Sequence, residues 1–163
     1  MRWHVLGVAF AIALIYPLLG PDDTAAASEF PPYSADTLLD TISDARGQVV
    51  VLNFWATWCQ GCRQEIAELN QIRQRYSHKE VVVLGIALDQ QPRAAERFAE
   101  KYDFQYQLGY AAGGLGMLYD LNTIPKTIVY GPEGQKHLEH IGFLSAAELT
   151  QTIDGLLNNE YKS

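Results

Sequence analysis

Two uninterrupted apolar runs organise this chain. Residues 49–56 read Val-Val-Val-Leu-Asn-Phe-Trp-Ala, and residues 81–88 read Val-Val-Val-Leu-Gly-Ile-Ala-Leu. Neither alternates with polar residues, so both predict strands buried on two faces, as inside a parallel sheet. Between them Cys62, Ile66, Leu69, Ile72 and Tyr76 recur in steps of three and four. That spacing predicts a helix with one buried face, starting near Cys59. Upstream, Leu38, Leu39 and Ile42 mark a helix over 34–46 that Gly47 stops. Downstream, Pro92 suits the first turn of a helix whose face is Ala95, Phe98, Ala99 and Tyr102.

The last third of the chain is less regular. Residues 104–108 alternate and predict a short strand; Gly113, Gly114 and Gly116 predict a loop, with a short helix through 117–119. Residues 127–130, a Gly-Pro-Glu-Gly turn and residues 135–143 predict a β-hairpin. Ser145 and Glu148 have capping-box spacing, flanked by Leu144 and Leu149 as a hydrophobic staple. Leu149, Ile153, Leu156 and Leu157 then face the core. Strand, helix, strand, helix, hairpin, helix implies a parallel pair joined by an antiparallel pair. The expected class is α/β, a central mixed sheet with helices on both faces.

Composition adds limits. The 163 residues are 48% hydrophobic and 19% charged, which is ordinary for a globular chain. A net charge of -7 leaves no basic surface for nucleic acid. Residues 1–27 read apart from the rest. Arg2 and His4 precede an apolar stretch from Val5 to Leu19, then small residues end at Ala25-Ala26-Ala27. This is the layout of an export signal cleaved after Ala27, or of a retained membrane anchor. A spanning helix needs roughly 20 apolar residues, more than this Pro17-containing stretch offers. Either reading places the rest outside the cytoplasm, in the periplasm or its equivalent, with membrane contact only through the N-terminus. Residues 28–33, with Pro31 and Pro32, read as a linker to a domain over 34–163.

The candidate chemistry lies where the first apolar run meets its helix. Cys59 and Cys62 are the two cysteines of the chain. A cysteine pair at a strand-to-helix junction is the pattern of a redox dithiol. A helix N-terminus offers unpaired N–H groups and a positive dipole end, both of which favour a thiolate. A structural staple is the competing reading. It gains little, because two enclosed residues remove little entropy from the unfolded chain. No histidine stands at a spacing that would complete a zinc site. His78 falls on a loop, and His137 and His140 face opposite sides of a strand. No metal or cofactor is expected beyond the Cys59–Cys62 disulfide.

Residues 51–65, Val-Leu-Asn-Phe-Trp-Ala-Thr-Trp-Cys-Gln-Gly-Cys-Arg-Gln-Glu, closely resemble the active-site segment of the thioredoxin superfamily. The wording Asn-Phe-Trp-Ala-Thr-Trp-Cys resembles its TlpA/ResA/DsbE branch of exported thiol–disulfide oxidoreductases. Thr123-Ile124-Pro125 resembles the family's second signature, a cis-proline facing the CxxC, and Gly142 fits the pattern too. The resemblance covers residues 47–157. Three features depart from it. Gly61 stands where the family usually has proline, no proline follows Glu65, and a helix over 34–46 replaces the N-terminal hairpin.

The resemblance implies a thioredoxin-like fold and a set of roles. Cys59 is the exposed nucleophile and Cys62 the resolving thiol. Glu65 is a proton acceptor for Cys62, or else a solvated helix charge paired with Arg63. Plain thioredoxins carry a buried Asp where this chain has Asn53. Pro125 is cis, and Ile124 offers backbone hydrogen bonds to the partner. Trp58 shields the disulfide and contacts partners, Trp55 is partly core, and Gln60 and Gly61 tune the potential. Lys126 stands near the sulfurs or on the surface. The implied activity is reduction of disulfides in exported proteins, such as apocytochromes c, with electrons from an upstream membrane thiol reductase. A disulfide oxidase or isomerase of the same fold is the alternative. A copper-binding chaperone is a further one, although copper carriers of this fold use CxxxC.

Overall fold

The computed structural model describes residues 30–158. The expected signal or anchor over 1–27 lies outside the described residues, as do residues 28–29 of the expected linker. Among the described residues the chain runs β1 (Pro32–Tyr33), α1 (Ala35–Asp44), β2 (Val49–Trp55), α2 (Gln60–Arg75), β3 (Val81–Ala87) and α3 (Pro92–Ala99). It continues with β4 (Gln107–Ala111), α4 (Leu115–Leu118), β5 (Lys126–Tyr130), β6 (Lys136–Ile141) and α5 (Ala146–Leu157). The sheet order is β1-β4-β3-β2-β5-β6. Strands β1, β4, β3 and β2 are parallel; β5 and β6 complete the sheet antiparallel.

The two apolar runs form the centre of this sheet, and all seven residues of β2 are buried. Val49 and Val51 share a core with Leu69 and Ile72 of α2 and Leu149 and Ile153 of α5. On the other face Val50, Leu52 and Phe54 meet Leu38 and Ile42 of α1 and Leu115 of α4. Helices therefore cover both faces, as the pattern predicts. The caps are local. Ser34 caps α1 and Ser145 caps α5, each in a reciprocal capping box.

Two expectations are corrected. The linker is part of the folded body from Phe30 onward. Phe30 is buried and stacks on Tyr110 with centroids 6.2 Å apart. Pro32 and Tyr33 pair with Tyr110 and Ala111 as an edge strand, a position that tolerates proline. The strand expected over 104–108 instead starts at Gln107. Phe104 is spent on packing, its ring 5.0 Å from Trp55 and 5.5 Å from Tyr106. Gly109 hides β4 from the apolar pattern. A Cβ there would stand 2.6 Å from the Pro31 carbonyl oxygen and 2.5 Å from the Tyr33 ring.

Candidate active site

The site sits where β2 ends and α2 begins, beside the end of β3. Leu88 N–H donates to the Trp55 carbonyl at 2.8 Å, which locks the two strand ends together. Thr57 bridges from the loop to Asp89 after β3. Its N–H reaches Oδ2 at 3.1 Å and its hydroxyl reaches Oδ1 at 2.5 Å. Arg63 holds the same turn from the helix side, donating to the Thr57 carbonyl at 2.7 Å with its guanidinium over Phe98.

Cys59 is the N-cap of α2, and its Sγ accepts from Cys62 N–H at 3.1 Å. The two cysteines form a disulfide with Cα atoms 5.3 Å apart. No acidic residue occupies the first turn of α2, while Arg73 and Arg75 sit in its last. The charge pattern leaves the positive end of the helix for a thiolate. Both sulfurs are largely covered: Cys59 is 7% exposed and Cys62 3%. Cys59 is thus only slightly more exposed than Cys62 in the disulfide form, and both are buried. The neighbouring Trp58 is 68% exposed.

Ile124–Pro125 is a cis bond. Pro125 faces Gly61 across the site: a Cβ on Gly61 would stand 3.3 Å from Pro125 Cδ. The Pro125 carbonyl accepts from Gly142 N–H at 2.8 Å, which draws the end of β6 to the site. Ile141 and Phe143, on either side of Gly142, are exposed.

Glu65 lies one turn beyond Cys62 and is 1% exposed. Its Oε1 accepts from Leu144 N–H at 2.8 Å and its Oε2 from Asn53 Nδ2 at 2.9 Å. Burial raises its pKa to about 7, against the two hydrogen bonds that favour the carboxylate. Glu68 adds a smaller upward push.

The AhpC/TSA family matches residues 26–135. A thioredoxin-like protein, YneN of Bacillus subtilis, is 30% identical over 129 residues, 76% of each chain. The chain belongs to this thioredoxin-like AhpC/TSA family. A thiol–disulfide oxidoreductase, ResA of Oceanobacillus iheyensis, is 29% identical over 72% of this chain and 60% of that protein. A crystal structure of a DsbE-type thiol:disulfide interchange protein from Chlorobium tepidum superposes with a TM-score of 0.65. It shares 31% identity over 71% of this chain and 84% of that one. Family and dithiol together make the chain a thiol–disulfide oxidoreductase.

Against this family frame, the structure brings Trp58, Cys59, Gln60, Gly61, Cys62, Ile124 and Pro125 to one end of the sheet. Three expectations fail there. Glu65 is not a solvated charge paired with Arg63, because α2 turns it into the core and Arg63 outward to Thr57. Lys126 is neither near the sulfurs nor on the surface. It pairs in register with Phe54, so it points to the α1 and α4 face. There it is buried, with Nζ 2.6 Å from the Tyr119 carbonyl and 2.7 Å from Glu139 Oε1. Trp55 is fully rather than partly core, at 2% exposure.

The residue pattern alone did not find Thr127, the Leu144 amide or Phe143. For Thr127 a signal existed: a polar residue in a buried strand, opposite Asn53, itself polar in a buried strand.

Proposed function

We propose that this chain reduces disulfides in exported proteins, working outside the cytoplasm and recharged by an upstream membrane thiol reductase. The observation that carries the reading is a dithiol at a helix N-cap with a buried carboxyl that titrates near neutrality one turn away. In the reduced protein the Cys59 thiolate attacks a partner disulfide. One partner sulfur leaves as a thiolate and a mixed disulfide forms. The Cys62 thiol gives its proton to Glu65 and attacks Cys59 Sγ. The second partner sulfur leaves, and the Cys59–Cys62 disulfide is restored. Two electrons pass to the partner.

Trp58, Gln60, Gly61, Ile124 and Pro125 form the partner face in this reading, with exposed Phe143 at its rim. The AhpC/TSA membership and the likenesses to ResA and DsbE support thiol–disulfide exchange. The reductant direction, with apocytochrome c as one substrate, is the reading that the resemblance of residues 51–65 suggests. The export layout of residues 1–27 supports the compartment. The midpoint potential against dithiothreitol tests direction. A value near roughly -270 mV is expected for a reductant, whereas one near about -120 mV would make the protein an oxidant.

A further inference from the structure

Glu65 is gripped by a side chain that is itself gripped. One hydrogen of the Asn53 carboxamide goes to Glu65 Oε2, and the other goes to Thr127 Oγ1, each at 2.9 Å. Asn53 and Thr127 face each other in the β2–β5 register and are 2% and 1% exposed. The amide therefore cannot turn without unpairing a buried donor, at a cost of about 1–3 kcal/mol. Flipped, it would set Oδ1 against the carboxylate oxygen.

We propose that Asn53, locked by Thr127, is a positioning residue that fixes the Glu65 side chain and tunes its proton affinity. Burial favours the neutral acid, while the Asn53 and Leu144 donors favour the carboxylate. The neutral acid's O–H finds donors, not acceptors, at both of these contacts. The balance lands where a group can both take and return a proton. The titratable groups that face Glu65 supply no compensating cation. Glu68 on the same helix is an acid, Cys62 is bound in the disulfide, and Tyr106 ahead of β4 is kept neutral by burial and by Glu65 itself. The two N–H donors are what stabilise the charge among the described residues. An aspartate at position 53 would replace a donor by a second carboxyl.

The consequence for the dithiol rests on the reading of Glu65 as acceptor for Cys62, so the test separates the two. The Glu65 carboxyl carbon is followed by 13C NMR in the oxidised protein, where no thiol titrates. Asn53→Ala should raise the titration midpoint by roughly one pH unit, a tenfold tighter proton. Thr127→Val should raise it by less, and Thr127→Ser, which keeps the hydroxyl, should leave it in place. An unmoved midpoint in Asn53→Ala overturns the proposal. Should Asn53→Ala fail to fold, equal midpoints in Thr127→Val and Thr127→Ser overturn it instead. Alkylation of Cys62 across pH is then compared in Cys59→Ser with and without Thr127→Val. A shifted carboxyl with an unshifted thiol profile upholds Asn53 as the positioning residue and removes Glu65 as the acceptor.

Discussion

A carboxyl buried to 1% exposure is costly to ionise unless donors meet it, and Glu65 meets two. The folded protein holds its proton up to about pH 7, while the unfolded chain releases it near 4.5. Between those values the unfolded state binds fewer protons, so stability falls as pH rises, by on the order of 3 kcal/mol in total. Glu65→Gln should flatten this slope, as read by urea unfolding at pH 5 and pH 8. An equal drop in both proteins would place its source elsewhere. Glu139 does not confuse the test. Lys126 and Lys136 hold it down to about 2, so its contribution changes only below the ordinary glutamate range. Gly61 is the other informative residue. The N–H that reaches Cys59 Sγ belongs to Cys62, so a proline at 61 would leave that bond intact. It would still remove one free donor from the positive end of α2 and crowd Pro125. Fewer donors stabilise the thiolate less, so Gly61→Pro should make the midpoint potential more negative. A potential unchanged or less negative would show that residue 61 acts on partner access alone.

At the scale of elements, α2 and α5 were legible because their signals are local. The three-and-four spacing of Cys62, Ile66, Leu69 and Ile72, and the Ser145–Glu148 box, each fall within a few residues of one another. β1 was not legible, because it exists only through β4, and β4 itself was placed three residues too early. Two residues make no strand pattern, and Gly109 reads as a break until Pro31 and Tyr33 lie against it. Lys126 was misplaced for a related reason. Its fate depends on strand register, and register with Phe54 sends it to the far face. There it ties β5 to the end of α4 through Tyr119 and to β6 through Glu139. A buried ion pair seldom outperforms a well-packed apolar residue, but half a pair is costly. Glu139→Gln should therefore destabilise the protein by up to about 3 kcal/mol, while Lys126→Met should be close to neutral. Thermal unfolding of the two variants at neutral pH checks this, and the opposite ranking would mean that the lysine is held by the Tyr119 carbonyl alone.

At the scale of the molecule, the CxxC segment and Pro125 were readable from sequence, but the shell that holds them was not. Phe30, Trp55, Cys59, Cys62, Ala87 and Ala95 form one buried cluster drawn from four separate stretches of chain. The cluster shows that the folded body begins before the helix that a sequence reading takes as its start. Phe30 covers Tyr110, and β1 satisfies the outer edge of β4 through Pro31 and Tyr33 carbonyls that accept from Tyr110 and Ala112 at 3.0 and 2.8 Å. A chain beginning at Ser34 loses all of this at once. Burial of a phenylalanine alone is worth about 1.5–3 kcal/mol. In a domain of this size each kcal/mol moves the melting temperature by roughly 2–8 °C. A chain beginning at Ser34 should therefore melt several degrees below one beginning at Ser28, and its uncovered β4 edge should promote self-association. The comparison is made by calorimetry and light scattering on the two oxidised proteins. Equal melting temperatures would mean that residues 30–33 rest on the domain without supporting it, and the boundary would return to Ser34.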